Sequence, residues 1–297
     1  MAATRRLSDL VSATLSKLEL PAGPVVVALS GGGDSAALAF LTVEAGVETR
    51  GIHIDHRLAA SPMMAAAAEE IAARVGIELE TRKVTLGDGP SPEDQAREAR
   101  YQVLEEAGRT VLTAHTRDDS IETMLINLIR GTGSTGLTGI PSFRPPAIHR
   151  PMLEVTRSDT REIASLAGLP FRDDPMNEDL SLTRNRVRLE ILPLMRELNP
   201  GVDGSLARAA AALRRDSEYL DDLAGDLYRG PLPVSVLNTV PRVLADRMLH
   251  RALEESGVGA TADRIERMWS VATGRSDRQD LAGGRSVVRR GALLLIE

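Results

Sequence analysis

The 297-residue sequence contains no cysteine, and this absence excludes several kinds of functional site. Without thiols, the chain cannot form disulfides, thiolate metal sites, cysteine-bound iron–sulfur clusters or a cysteine nucleophile. Aromatic residues make up only 2% of the chain. Their scarcity argues against a base-stacking platform of the kind that binds single strands without sequence preference.

Long apolar segments are also missing. No apolar run approaches the roughly 20 residues that span a bilayer, and the N-terminal residues MAATRRLSDL lack the apolar stretch of a secretory signal. These absences predict a cytoplasmic protein with no membrane partner.

Lysine is nearly absent as well, because Lys17 and Lys83 are the only lysines among the 36 lysine and arginine residues. The net charge of −6 does not by itself indicate a nucleic-acid-binding protein. Arginine, however, recognises phosphate through planar bidentate contacts, so arginine clusters can bind RNA even on an acidic protein. A genomic bias toward arginine codons explains the excess equally well.

The first two-thirds of the chain alternates between strand and helix patterns. Short β-branched apolar runs predict buried parallel strands, and helix-forming segments follow them. The predicted strands are 24–29, 49–55, 77–84, 110–114 and 147–149. The predicted helices are 36–41, 62–75, 92–107, 118–130 and 159–168. This alternation predicts an α/β fold with a doubly wound, mainly parallel sheet and ligands at the carboxyl ends of its strands.

A domain boundary is predicted at Asn199-Pro200-Gly201, where proline and glycine interrupt the pattern. Residues 1–200 are expected to form the larger domain, and residues 201–297 a smaller, mostly helical one. Its predicted helices are 205–228, 240–256 and 261–273, and its short β-like runs are 286–288 and 292–296.

The strongest motif is a glycine-rich loop between the first strand and the first helix of this pattern. Its glycines let the backbone turn tightly, and the helix N-terminus behind it attracts an anion. The lysine of a Walker A loop is missing, so the loop better fits a pyrophosphate leaving group with attack at the α-phosphorus of ATP. A plain turn with a helix cap is the alternative. The loop consists of Ser30, Gly31, Gly32, Gly33, Asp34 and Ser35.

A metal ion is expected at Asp34. A carboxylate is a poor direct ligand for phosphate, and Mg²⁺ between the two resolves the repulsion. The sequence therefore predicts ATP and Mg²⁺ as cofactors, with Asp34 as metal ligand and catalytic residue.

SGGGDS resembles the SGGxDS motif of PP-loop enzymes, the adenine nucleotide α-hydrolase-like proteins that release pyrophosphate and adenylate a substrate. Further segments between about residue 25 and residue 200 resemble the tRNA(Ile)-lysidine synthetase family in particular, and they occur in the order of that family. One lies at the end of the second strand, where the family binds adenosine, which implies contacts from His53, Ile54 and Asp55. The family usually continues with Gly-Leu-Arg, whereas this chain has Arg57-Leu58-Ala59. A loop with two surface histidines is the alternative.

The segment 96–101 resembles the ARxxRY motif of the family. Arg97 and Arg100 lie three residues apart, so they share one face of a helix. They are predicted to hold phosphates or to stabilise charge developing on the α-phosphoryl group, with Arg97 catalytic and Arg100 binding substrate. The alternative is a solvated helix with a Glu93–Arg97 pair.

The segment 115–137 is close to the family pattern HHxDDxxET…RGxGxxGL, although Thr116 replaces the second histidine. The spacing of its acids places several carboxylates on one helix face, where they could bind Mg²⁺ or take a proton from an amine. The alternative is that acids suit the first turn of any helix. The resemblance implies that His115 contacts ATP and that Asp119 is catalytic. It assigns the substrate to Asp118, Glu122, Arg130, Gly131 and Gly133.

A last segment resembles the RNxxR signature of the family. It suggests that Arg184, Asn185 and Arg188 meet RNA phosphate. A charged helix packed at the domain edge is the alternative.

The resemblance implies an ATP-dependent ligation of free L-lysine to carbon 2 of the wobble cytidine in isoleucine tRNA with a CAU anticodon. An adenylated cytidine would be the intermediate, AMP and pyrophosphate would be released, and the C-terminal domain would bind the tRNA. Rival hypotheses are a PP-loop tRNA thiolase, which commonly needs cysteine, an amidating enzyme that makes NAD or GMP, and a non-catalytic nucleotide-binding module. The lysine-binding residues and the oligomeric state, a homodimer included, are left open.

Overall fold

The computed structural model describes residues 2–55, 61–84, 92–107, 110–228 and 230–297, without the side chains of residues 2 and 92–98. The chain divides into two compact units, Met1–Ala210 and Ala211–Glu297.

The first unit contains a six-stranded sheet in the order β3-β2-β1-β4-β6-β5. Neighbouring strands are parallel except for the pair β5 and β6, which is antiparallel. The predicted α/β fold with a mainly parallel sheet is therefore confirmed. The strands are β1 (Val25–Ala28), β2 (Thr49–Asp55), β3 (Leu79–Lys83), β4 (Thr110–Leu112), β5 (Phe143–Arg144) and β6 (Ile148–His149).

Helices cover both faces of this sheet. Val25 and Val27 pack into one apolar cluster, and the intervening Val26 packs into another on the opposite face. A strand buried on both faces is typical of doubly wound folds. The helices of this part are α1 (Ala2–Leu15), α2 (Gly33–Glu44), α3 (Ser61–Val75), α4 (Pro92–Glu105), α5 (Arg117–Ile129) and α6 (Arg157–Leu166).

Helix α1 was not predicted from the sequence. Val11 of α1 is buried in the cluster that also contains Ile163 of α6, and Arg6 forms an ion pair with Glu162. The helix therefore closes one side of the sheet, and its basic start is a surface feature.

The arginine-rich segment after residue 182 is also helical. It runs through α7 (Thr183–Arg186), one π turn (Val187–Ile191) and α8 (Leu192–Leu198). Val187 and Leu192 pack on Ile121 and Leu125 of α5. This packing places the arginines of α7 and the π turn beside the acids of α5.

The second unit has its own apolar core, which includes Met248 and Trp269. Its antiparallel sheet has the strand order β7-β10-β9-β8. The remaining elements are α9 (Val202–Leu227), β7 (Leu232–Pro233), α10 (Val234–Thr239), α11 (Arg242–Glu255), α12 (Ala262–Ala272), β8 (Arg278–Asp280), β9 (Ser286–Arg290) and β10 (Leu293–Ile296).

The division between the two units falls inside α9, ten residues after the boundary predicted at residue 200. The predicted domain bounds therefore stay a prediction. Among the described residues, none of the helices is both long enough and apolar enough to cross a membrane.

Candidate active site

A cavity of about 440 Å³ opens at the carboxyl ends of β1 and β4. The strand order reverses at β1, and such switch points are where open α/β sheets bind ligands. The volume suits a nucleotide-sized ligand. The predicted site residues that line the cavity are Ser30, Gly32, Gly33, Asp34, Ser35, His53, Ile54, Arg100, His115, Asp119 and Arg188.

The glycine-rich loop is held by its own atoms. The Ser35 hydroxyl donates to the carbonyl of Gly32 (2.9 Å), lies 3.0 Å from the Ser30 hydroxyl, and accepts the backbone N–H of Ser30 (3.2 Å). Gly32 caps α2 without a side-chain hydrogen bond, so the first N–H groups of α2 remain available to an anion.

Gly31 adopts a left-handed conformation, with φ of +87°. A Cβ atom at this position would lie 2.4 Å from the carbonyl oxygen of Met64 on α3. Only glycine therefore fits here, which explains one residue of the motif in physical terms.

Asp34 is held by the first turn of α6. The Thr160 hydroxyl donates to Asp34 Oδ1, and Arg157 Nε lies 3.6 Å from Asp34 Oδ2. Burial raises the pKa of Asp34, and the negative charge of Asp119 raises it further, against the hydrogen bond from Thr160 and the charge of Arg157. A bound cation would stabilise the ionised form of this carboxyl group.

The residues present fit Mg²⁺ of the kind that is shared with a nucleotide. Among the described residues, no three His, Asp or Glu side chains converge as a metal site. Mg²⁺ usually binds one or two carboxylates together with substrate phosphates, so it does not need a protein cage. Asp34, beside the phosphate loop, supplies such a carboxylate.

The N-terminus of α5 orients Asp119. Asp119 Oδ2 accepts the backbone N–H and the hydroxyl of Thr116, both at 2.8 Å. Thr116 is fully buried, so the residue that replaces the second histidine of the family motif fixes Asp119. The other oxygen, Oδ1, faces Arg157 at 2.7 Å.

Glu122 lies at the centre of a buried network of charges. We call Asp119, Glu122, Arg157, Arg184 and Arg188 the acid–arginine cluster. Glu122 is fully buried. Arg188 binds both of its oxygens (2.7 and 2.9 Å), Arg157 donates to Oε1 (2.9 Å), and Arg184 donates to Oε2 (3.1 Å).

Asp119 and His115 both line the cavity, and their charge states follow from their burial and from the charges around them. Burial raises the pKa of Asp119, but the charges of Arg157, His115 and Arg184 outweigh it and hold the pKa at about 2. Burial lowers the pKa of His115 to about 3, although Asp119 opposes this. At neutral pH the site therefore presents a carboxylate beside a neutral imidazole, and His115 is no proton donor there.

The three residues predicted to contact adenosine, His53, Ile54 and Asp55, are the last three residues of β2. His53 is buried, and its Nδ1 lies 2.7 Å from the Leu29 carbonyl, so Nδ1 carries the proton. The alternative of a surface histidine is therefore wrong for His53. Ile54 lines the cavity, whereas Asp55 is the last residue of β2 and does not.

Helix α4 carries the two predicted arginines, Arg97 and Arg100. The Arg100 guanidinium lies 5.5 Å from the centre of the Tyr101 ring and borders the cavity. The side chain of Arg97, and the alternative pair with Glu93, lie outside the described residues.

Several predicted substrate residues lie away from the cavity. Asp118 accepts the backbone N–H of Arg157 (2.9 Å). Arg130, Gly131 and Gly133 belong to the loop after α5, and this loop is tied back to α5 by the Asn127 amide, which donates to the Gly136 carbonyl (2.8 Å). Their contact with substrate stays a prediction.

The side chain of Asn185 is buried inside the protein. It is 4% exposed, and its amide donates to the carbonyls of Met176 (2.7 Å) and Asp179 (2.9 Å). The side chain therefore holds the preceding turn, and its contact with RNA stays a prediction.

Arg157 and Thr160 were not predicted from the sequence. Thr160 bonds to Asp34 of the PP-loop, and Arg157 contacts both Asp34 and the acids of α5. The available signal was the pair Thr156 and Asp159, because the Thr156 hydroxyl accepts the Asp159 N–H (3.0 Å) as a helix cap does. That signal places the start of α6 but does not indicate what the arginine contacts.

Residues 3–195 match the model of the PP-loop domain family. Relatives described as tRNA(Ile)-lysidine synthase include one from Nocardia farcinica, 39% identical over 81% of this chain and 78% of the relative. One from Salinispora arenicola is 39% identical over 93% and 91%. One from Thermus thermophilus is 35% identical over 93% of this chain but only 57% of the relative, which is therefore longer.

Among solved structures, the U34-tRNA thiolase of Methanococcus maripaludis with its [4Fe-4S] cluster is similar in fold. Its TM-score is 0.57 at 20% identity, over 71% of this chain and 78% of the thiolase.

Proposed function

Since the chain belongs to the tRNA(Ile)-lysidine synthase family of PP-loop proteins, we propose that it joins free L-lysine to carbon 2 of the wobble cytidine in isoleucine tRNA. The tRNA carries a CAU anticodon, and the reaction converts ATP to AMP and pyrophosphate through an adenylated cytidine. The product base, lysidine, pairs with adenine. The enzyme is an ATP-dependent ligase that uses Mg²⁺.

The observation that supports this proposal best is the distance between the loop and the acids. One guanidinium, that of Arg157, reaches both Asp34 in the PP-loop and Asp119 on α5. Activation by ATP and attack by an amine therefore have their protein groups within one cavity.

In the first step, the oxygen on carbon 2 of cytidine attacks the α-phosphorus of ATP. The PP-loop would hold the leaving pyrophosphate through the first N–H groups of α2, because the Ser35 hydroxyl already donates to the Gly32 carbonyl. Asp34 would hold Mg²⁺, which neutralises phosphate charge as a Lewis acid when bound. Activation is needed because an amide-like oxygen is a poor leaving group.

In the second step, lysine must reach carbon 2 as a neutral amine, so its ammonium proton and the proton lost after the attack both pass to solvent as AMP leaves. A general base works best with a pKa near the operating pH. Asp119, with a pKa of about 2, is therefore a weak base and a strong partner for a cationic amine. We assign it the attraction and orientation of the lysine amine.

The RNA contacts remain proposals. Arg184 and Arg188 bind Glu122, yet their side chains stay 31% and 23% exposed, which leaves each of them surface from which to contact phosphate. A tRNA contact by the C-terminal domain, a cytoplasmic location and a homodimer likewise stay predictions.

A thiolase is not favoured. The archaeal thiolase has a [4Fe-4S] cluster, whereas this chain has no cysteine to hold one. The fold alone does not choose between the two reactions.

The test incubates the protein with ATP, Mg²⁺, lysine and isoleucine tRNA that has a CAU anticodon. The tRNA is then digested to nucleosides, which are analysed by mass spectrometry. We expect AMP release that needs both lysine and tRNA, and a nucleoside heavier than cytidine by lysine minus water. A tRNA with another wobble base is the control. AMP formation without the new nucleoside would refute the lysidine assignment and leave a PP-loop enzyme with another nucleophile.

A further inference from the structure

The first turn of α6 joins the two halves of the site. Arg157 begins this helix, and its guanidinium contacts Asp119 Oδ1 through Nη2 (2.7 Å) and Glu122 Oε1 through Nη1 (2.9 Å). Its Nε faces Asp34 Oδ2 at 3.6 Å. Three carboxylates from two separate elements therefore surround one guanidinium.

The backbone that carries the Arg157 guanidinium is fixed by hydrogen bonds between α5 and the start of α6. The backbone N–H of Arg157 donates to Asp118 Oδ2 (2.9 Å), and the N–H of Arg117 donates to the carbonyl of Val155 (2.9 Å). These bonds tie the N-terminus of α6 to the N-terminus of α5. The side chain of Arg157 is only 19% exposed, so little freedom is left to it.

Arg184 and Arg188 are placed differently. Arg188 contacts Glu122 and lies 3.7 Å from Asp119, and Arg184 contacts Glu122 and Thr123. These contacts are with α5, whereas those of Arg157 also include the PP-loop.

We propose that Arg157 is a positioning residue for both steps, because it orients Asp34 beside the phosphates and Asp119 beside the attacking amine. This inference rests on the proposed function. The planar guanidinium offers N–H groups in fixed directions on three separate nitrogens, and each of these nitrogens faces a different carboxylate, whereas the donors of a lysine ammonium all lie on one nitrogen. It also separates Asp34 from Asp119, whose like charges repel.

The experiment compares Arg157→Gln with the matched variant Arg188→Gln. Both remove a guanidinium from Glu122, but only the first removes one from Asp34. Calorimetry with α,β-methylene ATP and Mg²⁺ measures nucleotide affinity without turnover, and lysidine formation gives kcat and KM. Arg186→Gln is the control, since Arg186 forms an exposed pair with Glu190 and does not line the cavity.

We expect Arg157→Gln to weaken analogue binding about tenfold and to lower kcat about 100-fold, the size of effects seen when supporting contacts of a site are lost. Arg188→Gln is expected to lower kcat but to keep the Kd of the analogue within about twofold, and Arg186→Gln to change neither. An unchanged Kd in Arg157→Gln, or equal losses of affinity in Arg157→Gln and Arg188→Gln, would overturn the proposal.

A second variant, Arg157→Lys, tests the proposal if Arg157→Gln does not fold. Arg157→Lys keeps one charge in the cluster and should fold, but one nitrogen then replaces the three that separately face Asp34, Asp119 and Glu122. It should still weaken analogue binding, and a wild-type Kd would overturn the proposal. If wild-type protein forms no lysidine, the proposed function fails, but the comparison of Kd values still decides whether Arg157 positions Asp34.

Discussion

The PP-loop and the acid–arginine cluster face the same cavity but are built in opposite ways. In the PP-loop, the serine hydroxyls bond to groups two to five positions away, and only Asp34, the one charged residue among the six, is held by side chains of another element, α6. In the cluster, Glu122 binds arginines that lie 35, 62 and 66 positions away.

The two regions therefore depend on different properties of their residues. The PP-loop depends on the path of the backbone, which one added methyl group can block. The cluster depends on charge balance in a buried place, where an uncompensated charge costs several kcal/mol. A substitution that keeps shape and removes charge should damage the cluster most, and one that keeps charge and adds volume should damage the loop most.

The largest effect is expected from Glu122→Gln, which keeps the shape of the side chain and removes its charge. Three guanidinium groups would then share the single carboxylate of Asp119 within the cluster. We expect the free energy of unfolding to fall by about 3 kcal/mol and activity to be lost. Urea unfolding measures the stability change.

The control for this variant is Glu190→Gln, since Glu190 forms an exposed pair with Arg186 four positions away. Exposed pairs of this kind contribute about 0.5 kcal/mol or less. Similar stability losses for the two variants would show that the cluster behaves like a surface network, and the comparison would fail.

A smaller effect is expected from Gly31→Ala in the PP-loop. The residue has φ of +87°, and the added Cβ would approach the Met64 carbonyl oxygen to 2.4 Å. Strain of this kind costs on the order of 1–3 kcal/mol, and the shifted loop should bind α,β-methylene ATP about 100-fold more weakly. Calorimetry measures this loss.

Gly46→Ala is the matched control. Gly46 also has positive φ (+74°), but nothing lies within 4 Å of the added Cβ, and it follows the C-terminal end of α2, whose other end is in the PP-loop. It should lose stability through strain and keep its affinity for nucleotide. Unchanged nucleotide affinity in Gly31→Ala would contradict the view that the backbone path makes this site.

The same contrast decides how much the sequence could predict. The PP-loop is contiguous, and periodicity places it between a strand and a helix, so both its position and its chemistry were predictable. The acids of α5 were predictable for the same reason. Arg157 was not, because its partners come from two other elements and no local pattern marks an arginine at the first position of a helix. The RNxxR segment shows the converse, since the spacing identified its arginines but the buried partner Glu122 determines what they contact.

The last difference between the two regions is their sensitivity to acid. The pKa of His115 is lowered from an ordinary 6.5 to about 3, so unfolding takes up a proton between these values. The stability that the neutral imidazole contributes is complete above pH 6.5 and is lost as the pH falls toward 3. The free energy of unfolding should therefore fall by up to about 1.4 kcal/mol per pH unit in this range.

His115→Asn should flatten this dependence between pH 6 and pH 4, whereas Ser35→Ala in the PP-loop should lower stability by about 1 kcal/mol at every pH, because it removes hydrogen bonds but no titrating group. Urea unfolding at several pH values gives both slopes. An unchanged slope in His115→Asn would mean that the acid response arises elsewhere. A changed slope in Ser35→Ala would mean that the PP-loop, through Asp34, shares the charge balance of the cluster.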